Sequence, residues 1–131
     1  MARKIFIICP VRRVTKKVKK KLEEYVTNLE AQGNKVHLPH RDTEQNDPTG
    51  GYEICKTNAW AMINAHEIHI WYDEKSGGSK FDMGIAFLLS EIFIYSKKIV
   101  IINESEVVDE SKKSFFKVLK QLQEKTKNFW Q

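Results

Sequence analysis

The sequence predicts a protein of the α/β class, with one domain that spans residues 1–131. A chain of this length fits one domain with a sizeable core. Short runs of β-branched and aromatic residues alternate along it with longer segments in which apolar residues recur at helical spacing. Strands and helices that alternate in this way form right-handed βαβ units, so we expect a parallel sheet with helices packed against it.

Two strands, a helix and a loop are predicted before residue 52. The strand 4–9, KIFIIC, is a continuous β-branched and aromatic run, typical of a strand that is buried on both faces. From Val14 onward apolar residues recur at helical spacing, with lysines on the other side, until Gly33 ends the helix. Residues 35–38 are the second strand, and a long polar loop with proline and glycine follows over 39–51.

The second helix is predicted over residues 52–65. Its inner stripe follows the spacing i, i+4, i+7, i+8 and i+11, and contains Ile54, Asn58, Ala61, Met62 and Ala65. Asn58 therefore points inward, where a polar side chain needs a hydrogen-bond partner.

The remaining elements are two strands and two helices. The third strand covers 67–72, a helix runs from Ser79 to about Tyr95, and the fourth strand covers 98–102. Asp109 is expected to cap a last helix. The inner stripe of that helix is predicted to contain Phe115, Leu119 and Leu122.

We predict the strand order 2-1-3-4 in a sheet of four to five strands, as in flavodoxin-like or Rossmann-like three-layer sandwiches. This order places residues 9–13 opposite the turn 73–79 at the carboxyl edge of the sheet, where such folds bind ligands. The order 3-2-1-4 is the alternative, and it would separate these two loops.

The net charge of +5 is unevenly distributed. Residues 1–21 hold nine Lys or Arg and no acid, whereas residues 22–111 hold seven basic and sixteen acidic residues. Nucleic-acid binding is therefore a lesser alternative that rests on the terminal segments alone. Two cysteines make no disulfide framework, and no apolar run approaches the ~20 residues of a membrane span, so we expect a cytoplasmic protein without a membrane partner.

The segment from the third strand into the next helix contains the first candidate for chemistry, Asp82. A strand that ends at Tyr72 and turns through Gly78 delivers the backbone N–H groups of Ser79 and its neighbours to a helix start, where anions are favoured. Asp82 is predicted in the first helical turn, where the helix dipole would keep its carboxylate ionised. Its simpler role there would be to stabilise the helix dipole.

Other motifs are excluded or remain ambiguous. The sequence has no phosphate loop and no GxGxxG after the first strand, and its histidine pairs lack the spacing of a zinc site, so we predict no cofactor and no metal. Cys9 lies near Arg12 and Arg13, which could lower the pKa of its thiol, but a cysteine at a strand end is more often packed in the core. Trp71 and Tyr72 could stack on a base or only cover the core.

The same segments resemble the nucleoside 2-deoxyribosyltransferase-like family, which includes deoxynucleoside 5′-monophosphate N-glycosidases. The resemblance covers about residues 4–103, with CPVRR, PHRDTEQ, INAHEIHIWYD and SGGSKFDMGIAF as its motifs. The family's catalytic glutamate corresponds to Asp82, and its second acid, an aspartate, corresponds to Asn58. An aspartate is one methylene shorter than a glutamate, and an asparagine cannot act as a general base.

The resemblance implies cleavage or transfer of an N-glycosidic bond, with Asp82 as the nucleophile and Asn58 beside it. It implies that Ser76 and Ser79, with Gly78 in the turn, hold a 5′-hydroxyl or 5′-phosphate. Arg12 or Arg13 would supply charge for the phosphate, next to Cys9. Arg41 and Asp42 would contact the base, and a non-catalytic nucleotide-binding module of the same fold is the alternative.

The helix 79–95 is also expected to form a homodimer or a higher oligomer. Phe81, Ile85, Leu88 and Ile92 are predicted to face the sheet. Met83, Phe87, Ile94 and Tyr95 would then leave an apolar patch that suits an isologous contact. The alternative is that the last helix covers this patch within one chain.

Overall fold

The computed structural model describes residues 2–91 and 96–130, and it has the predicted α/β fold. Four parallel strands form one sheet in the order β2-β1-β3-β4, flanked by helices. The predicted class and strand order are confirmed, and the alternative order 3-2-1-4 is excluded. The elements in chain order are β1 (Lys4–Ile8), α1 (Lys16–Ala31), β2 (Lys35–His37), α2 (Pro39–Asp42), α3 (Tyr52–Asn64), β3 (Glu67–Ile70), α4 (Gly77–Glu91), β4 (Lys98–Ile101) and α5 (Phe115–Thr126).

The pairing of β1 with β3 brings the two predicted site loops together. Ile5 pairs with Glu67 and Ile8 with Ile70, so the two strands end level with each other. The N–H of Trp71 donates to the carbonyl of Ile8 at 2.8 Å and continues the pairing by one step. The loop after β1 and the loop after β3 therefore leave the sheet side by side at its carboxyl edge.

The core has two layers, one on each face of the sheet. Helix α1 covers one face with Leu22 and Val26, and the other face is covered by α3, α4 and α5. The fully buried strand residues Phe6, Ile7 and Ile8 alternate between the two layers. This burial on both faces explains why β1 is apolar without interruption after Lys4.

The predicted loop 39–51 contains a helical turn, α2, that was not predicted. Pro39 stands at its start, where a fixed φ and a missing N–H are tolerated. The carboxylate of Asp42 accepts a hydrogen bond from the N–H of Leu38 at 2.8 Å and closes the turn. A single turn has no helical periodicity, so the sequence pattern could not reveal it.

Helix α4 begins at Gly77, two residues earlier than predicted. Ser76 caps it, because its carbonyl accepts from the N–H of Lys80 at 3.1 Å and its Oγ from the N–H of Ser79 at 3.2 Å. The prediction that Asp82 lies in the first turn is therefore wrong: it is in the second turn, and the first turn contains no acid.

The predicted inner face of α4 is also wrong. The buried residues of this helix are Ser79, Asp82, Met83, Ala86 and Leu89. Phe81 is 57% exposed and Leu88 is 45% exposed, although both were expected against the sheet. Apolarity alone selects the wrong face because two polar side chains are turned inward at this helix. The predicted positions Ile92, Ile94 and Tyr95 lie outside the described residues.

Two details of α5 differ from the prediction. Ser114, not Asp109, is the N-cap: its Oγ accepts from the N–H of Lys117 at 3.1 Å and donates to Asp109 at 2.5 Å. Phe116 is buried in the core, whereas Phe115 is 58% exposed. Leu119 and Leu122 are buried as predicted. Among the residues described, no helix is both long and apolar enough to cross a membrane.

Candidate functional site

Asp82 is a buried carboxylate near the carboxyl edge of the sheet. Its side chain lies on the inner side of α4 and the residue is only 9% exposed. Asn58, on the inner stripe of α3, is 6% exposed and its side chain is hydrogen-bonded to Asp82. The inward direction predicted for Asn58 is confirmed, and its polar partners are the hydroxyl of Thr43 and the carboxyl of Asp82.

Burial decides the charge of Asp82. It raises the pKa of the carboxyl from 3.8 to about 7, and the hydrogen bond from Asn58 opposes this rise only in part. The prediction that the helix dipole keeps Asp82 ionised is therefore wrong below neutral pH. A dipole acts within the first turn, and Asp82 is beyond it, in a place where water does not solvate the charge.

A chain of hydrogen bonds continues outward from Asn58. The Oγ1 of Thr43 donates to the Oδ1 of Asn58 at 2.8 Å, and the Nε2 of His37 lies 2.7 Å from the same hydroxyl. Thr43 comes from the loop after α2 and His37 from the end of β2, where its ring stacks on Phe6 at 5.2 Å. Four side chains from four parts of the chain thus form one connected series that ends on Asp82.

Thr43 and His37 were not predicted as residues of this site. Thr43 is one of several polar residues in a long loop, and His37 was considered only as a metal ligand. The feature of the sequence that could have indicated them is Asn58. An inward amide needs hydrogen-bond partners for both its oxygen and its N–H groups, and polar residues in the loops at the carboxyl edge are the nearest candidates.

Two thiols flank Asp82. Cys9, just after β1, is 7% exposed, and burial together with the charge of Asp82 raises the pKa of its thiol to about 12. The pKa of Cys55, on α3, is raised by burial and by the charges of Asp82 and Asp47. Both sulfurs stay protonated at neutral pH, so the site contains no thiolate nucleophile.

The two serines of the turn are used in the cap of α4. The Oγ of Ser76 donates to the Oγ of Ser79 at 2.9 Å, and Ser79 is only 2% exposed. Gly78 is exposed, and a Cβ there would meet no atom within 4 Å, so close packing does not require a glycine. These three residues form the rim of the turn, close in sequence to Asp82.

Trp71 and Tyr72 are each 8% exposed and help to form the two core layers. Trp71 packs in the layer under α1, and the ring of Tyr72 contacts that of Phe116 at 5.3 Å. The backbone N–H and carbonyl of Tyr72 both bond to the side chain of Asn103, at 2.8 and 2.9 Å. Of the two roles considered for these rings, stacking on a base and covering the core, the structure shows the second.

Arg12 and Arg13 are exposed at the carboxyl edge and form no ion pair with the described residues. Arg13 has a φ of 58°, a left-handed conformation that is uncommon outside glycine and turns the chain sharply before α1. Both guanidinium groups are therefore accessible to solvent on the loop that follows Cys9.

Arg41 and Asp42 lie at the β2 edge of the sheet, beside His37. Arg41 pairs with Glu30 at 3.2 Å and with Asp42 at 2.9 Å, and it also donates to the carbonyl of Val36. Both residues line a groove of about 510 Å³ between the β2 edge of the sheet and the end of α3, and Asp82 does not line it. Of the series that ends on Asp82, His37 lines this groove with the predicted pair and Asp82 does not.

The described ranges contain no group of three His, Cys, Asp or Glu side chains that could hold a metal ion. No protein-family model matches this chain, and no curated protein matches it.

Proposed function

We propose that the protein cleaves or transfers the N-glycosidic bond of a nucleoside or a nucleoside 5′-monophosphate. The observation that carries the proposal is Asp82, a buried carboxylate whose pKa is about 7, placed at the ligand-binding edge of a parallel α/β sheet. A poorly solvated carboxylate is a stronger nucleophile once it ionises, because no water shell has to be removed.

The motifs support the same chemistry. The segment Ser76–Ala86 resembles the nucleoside 2-deoxyribosyltransferase-like family, in which an acid at the position of Asp82 attacks the sugar. Asn58 stands where that family has an aspartate, and its hydrogen bond to Asp82 supports a role in holding the nucleophile. Because Asn58 cannot accept a proton as a carboxylate does, the attacking water of the second step loses its proton to solvent.

The reaction has two steps. In the first, an oxygen of ionised Asp82 bonds to the anomeric carbon while the bond from that carbon to the base breaks, and the electron pair leaves with the base nitrogen, which takes a proton from water. In the second, water adds to the anomeric carbon, Asp82 leaves as a carboxylate, and the proton of the water passes to solvent. A second base in place of water gives transfer.

The charges at the mouth of the site favour a 5′-phosphate over a free hydroxyl. Arg12 and Arg13 form no ion pair with the described residues and lie on the loop that follows Cys9. Cys9 is close enough to Asp82 for the charge of the carboxylate to raise the pKa of its thiol. A guanidinium binds a phosphate through two parallel hydrogen bonds. Loss of either arginine should therefore raise KM for a monophosphate more than for the corresponding nucleoside.

A panel of nucleosides, deoxynucleosides and their 5′-monophosphates tests the proposal. We expect free base to be released from at least one of them, as measured by chromatography, and we expect Asp82→Ala to release none. Absence of base and of exchange product from the whole panel, with the folded protein, would remove the enzyme proposal.

One observation favours a second function, a module that binds a nucleotide without turnover. Below pH 7 Asp82 is mainly protonated, and a neutral carboxyl can donate a hydrogen bond to a base as well as accept one. Calorimetry distinguishes the two functions: tight binding of a nucleotide that is recovered unchanged supports the module and contradicts the enzyme.

We also propose that the protein forms a homodimer through the outer face of α4. Phe81, Phe87 and Leu88 are 57%, 39% and 45% exposed, and with Ile85 they form an apolar face. An apolar face of this kind usually marks an interface.

The oligomer proposal predicts a mass of twice 15.3 kDa in light scattering at micromolar concentration. Leu88→Glu should reduce the mass to that of one chain, because it places a charge within the apolar face. Val108→Glu is the matched control, since Val108 is 86% exposed on a different segment. A single-chain mass for the unmodified protein would contradict the dimer.

A further inference from the structure

The hydrogen-bond series from His37 to Asp82 has a direction. The hydroxyl of Thr43 has one proton, and it is donated to the Oδ1 of Asn58 at 2.8 Å. The same hydroxyl can therefore only accept from His37, 2.7 Å away, so the proton of the imidazole lies on Nε2. Because the Oδ1 of Asn58 is occupied by Thr43, its amide N–H is the group that faces Asp82. Every donor in the series points toward the carboxylate.

If every donor and acceptor in the series were reversed, the series would stabilise the neutral form of Asp82. If the amide of Asn58 turned over, its Oδ1 would accept the proton of neutral Asp82, and its N–H would donate to Thr43. Thr43 would then donate to an unprotonated Nε2 of His37. The first direction stabilises ionised Asp82 and the second stabilises neutral Asp82. The tautomer of His37 and the amide orientation of Asn58 are thus coupled to the charge of the carboxylate.

We propose that His37 and Thr43 are positioning residues of the Asp82 site, which hold the amide N–H of Asn58 on the carboxylate and favour its ionised form. They touch neither a substrate nor the reacting atoms, and they act through Asn58. The consequence for turnover rests on the proposed function, whereas the consequence for the titration of Asp82 does not.

The other groups that face this series do not replace it. Asp82 is faced by the thiols of Cys9 and Cys55, and both are protonated at neutral pH. Asn58 provides the hydrogen bond that lowers the pKa of Asp82 against burial.

His37 has its own charged neighbours on α2. Asp42 raises and Arg41 lowers the pKa of its imidazole, but burial dominates and lowers it. His37 is therefore neutral at pH 7, and its tautomer, rather than a charge, is what the series transmits.

Thr43→Val tests the proposal, because it removes the hydroxyl and keeps the shape of the side chain. Carbon-13 NMR of the Asp82 carboxyl and nitrogen-15 NMR of the His37 ring report the two ends of the series. We expect the pKa of Asp82 to rise by about one unit in Thr43→Val and to change little in Thr43→Ser. In the unmodified protein the His37 proton should lie on Nε2, and in Thr43→Val the two tautomers should mix.

Thr49→Val is the matched control, since Thr49 is exposed and its hydroxyl bonds to Asp47, outside the series. If Thr43→Val does not fold, His37→Phe removes the outer donor instead and keeps an aromatic ring against Phe6. An unchanged Asp82 pKa in the folded variant, or a His37 proton on Nδ1 in the unmodified protein, would overturn the proposal.

Kinetics separate this inference from the proposed function. If the protein cleaves a glycosidic bond, the acidic limb of its kcat/KM profile should shift in Thr43→Val by the same amount as the Asp82 pKa. If no substrate is turned over, the proposed function fails while the NMR titration still decides the role of His37 and Thr43.

Discussion

Asp82→Asn is expected to abolish turnover and to stabilise the fold. The amide has the same shape as the carboxyl but cannot form the covalent bond to the sugar, so kcat should fall by at least about 1000-fold. In the unmodified protein, turnover should rise with pH through about 7, because only ionised Asp82 attacks. Asp82→Glu should retain activity, since it keeps the carboxylate and extends it by one methylene.

The gain in stability has a definite pH dependence. The pKa of Asp82 is 3.8 as an ordinary aspartate and about 7 in the folded protein, so between these values the folded state binds more protons than the unfolded state. The stability that neutral Asp82 contributes to the unmodified protein is therefore fully present below pH 4 and is lost as the pH rises through 7. At pH 8 the buried carboxylate costs up to about 4 kcal/mol, which asparagine avoids.

Urea unfolding of both proteins at pH 5 and pH 8 measures this effect. Asp82→Asn should be more stable than the unmodified protein at pH 8, and the difference should shrink at pH 5. Asp73→Asn, which changes a less buried aspartate in the preceding turn, is the control. A variant that is less stable at pH 8 would show that Asp82 is a structural acid, and it would contradict the assignment of a destabilised nucleophile.

Glu67→Gln is expected to destabilise the protein by about 3 kcal/mol at pH 7. Glu67 is 5% exposed at the start of β3 and pairs with Arg3 at 2.7 Å and with the Nε2 of His69 at 2.8 Å. Tyr25 of α1 bonds to the other ring nitrogen of His69 at 2.6 Å. The substitution leaves Arg3 without its ion pair and breaks a series that joins the sheet to α1.

Acid should remove the same contribution from the unmodified protein. Burial raises the pKa of Glu67, but the hydrogen bonds from His69 and Arg3 together outweigh burial and lower it from 4.5 to about 2. The unfolded state therefore binds more protons between these values, and the stability from Glu67 is present above pH 4.5 and lost as the pH falls toward 2.

Denaturant unfolding at pH 7 and pH 3 checks both statements. The difference between Glu67→Gln and the unmodified protein should be large at pH 7 and smaller at pH 3. Glu74→Gln is the control, since Glu74 is exposed and forms no ion pair with the described residues. A difference that stays constant between the two pH values would mean that packing, rather than the charge of Glu67, stabilises this region.

The sheet and part of the site follow from local patterns. Apolar runs such as 4–9 identify buried strands, and alternation with helices restricts the topology to parallel orders. The loops after β1 and β3 then meet at one edge, which is why residues 9–13 could be placed opposite the turn 73–79 that leads to Asp82. The inward direction of Asn58 follows from helical periodicity alone.

Contacts between distant segments are not contained in local patterns. Arg41 was expected at the site, but Glu30 of α1 and the carbonyl of Val36 hold it at the β2 edge. The exposure of Phe81 and the burial of Asp82 likewise could not be predicted from local patterns. Both depend on the rotation of α4 about its axis, which is determined by its packing against α3 and the sheet. Periodicity defines an apolar face, and packing decides which face is used.

The sequence by itself determined the fold class and the inward direction of Asn58, and it favoured the strand order 2-1-3-4 over 3-2-1-4. Only the tertiary structure decided that Asp82 is mainly neutral below pH 7, and that Thr43 and His37 reach it through Asn58. The physical reason is that a pKa depends on how much water the surrounding elements exclude, and a hydrogen-bond series depends on where separate loops meet. Both quantities exist only when the elements are packed together.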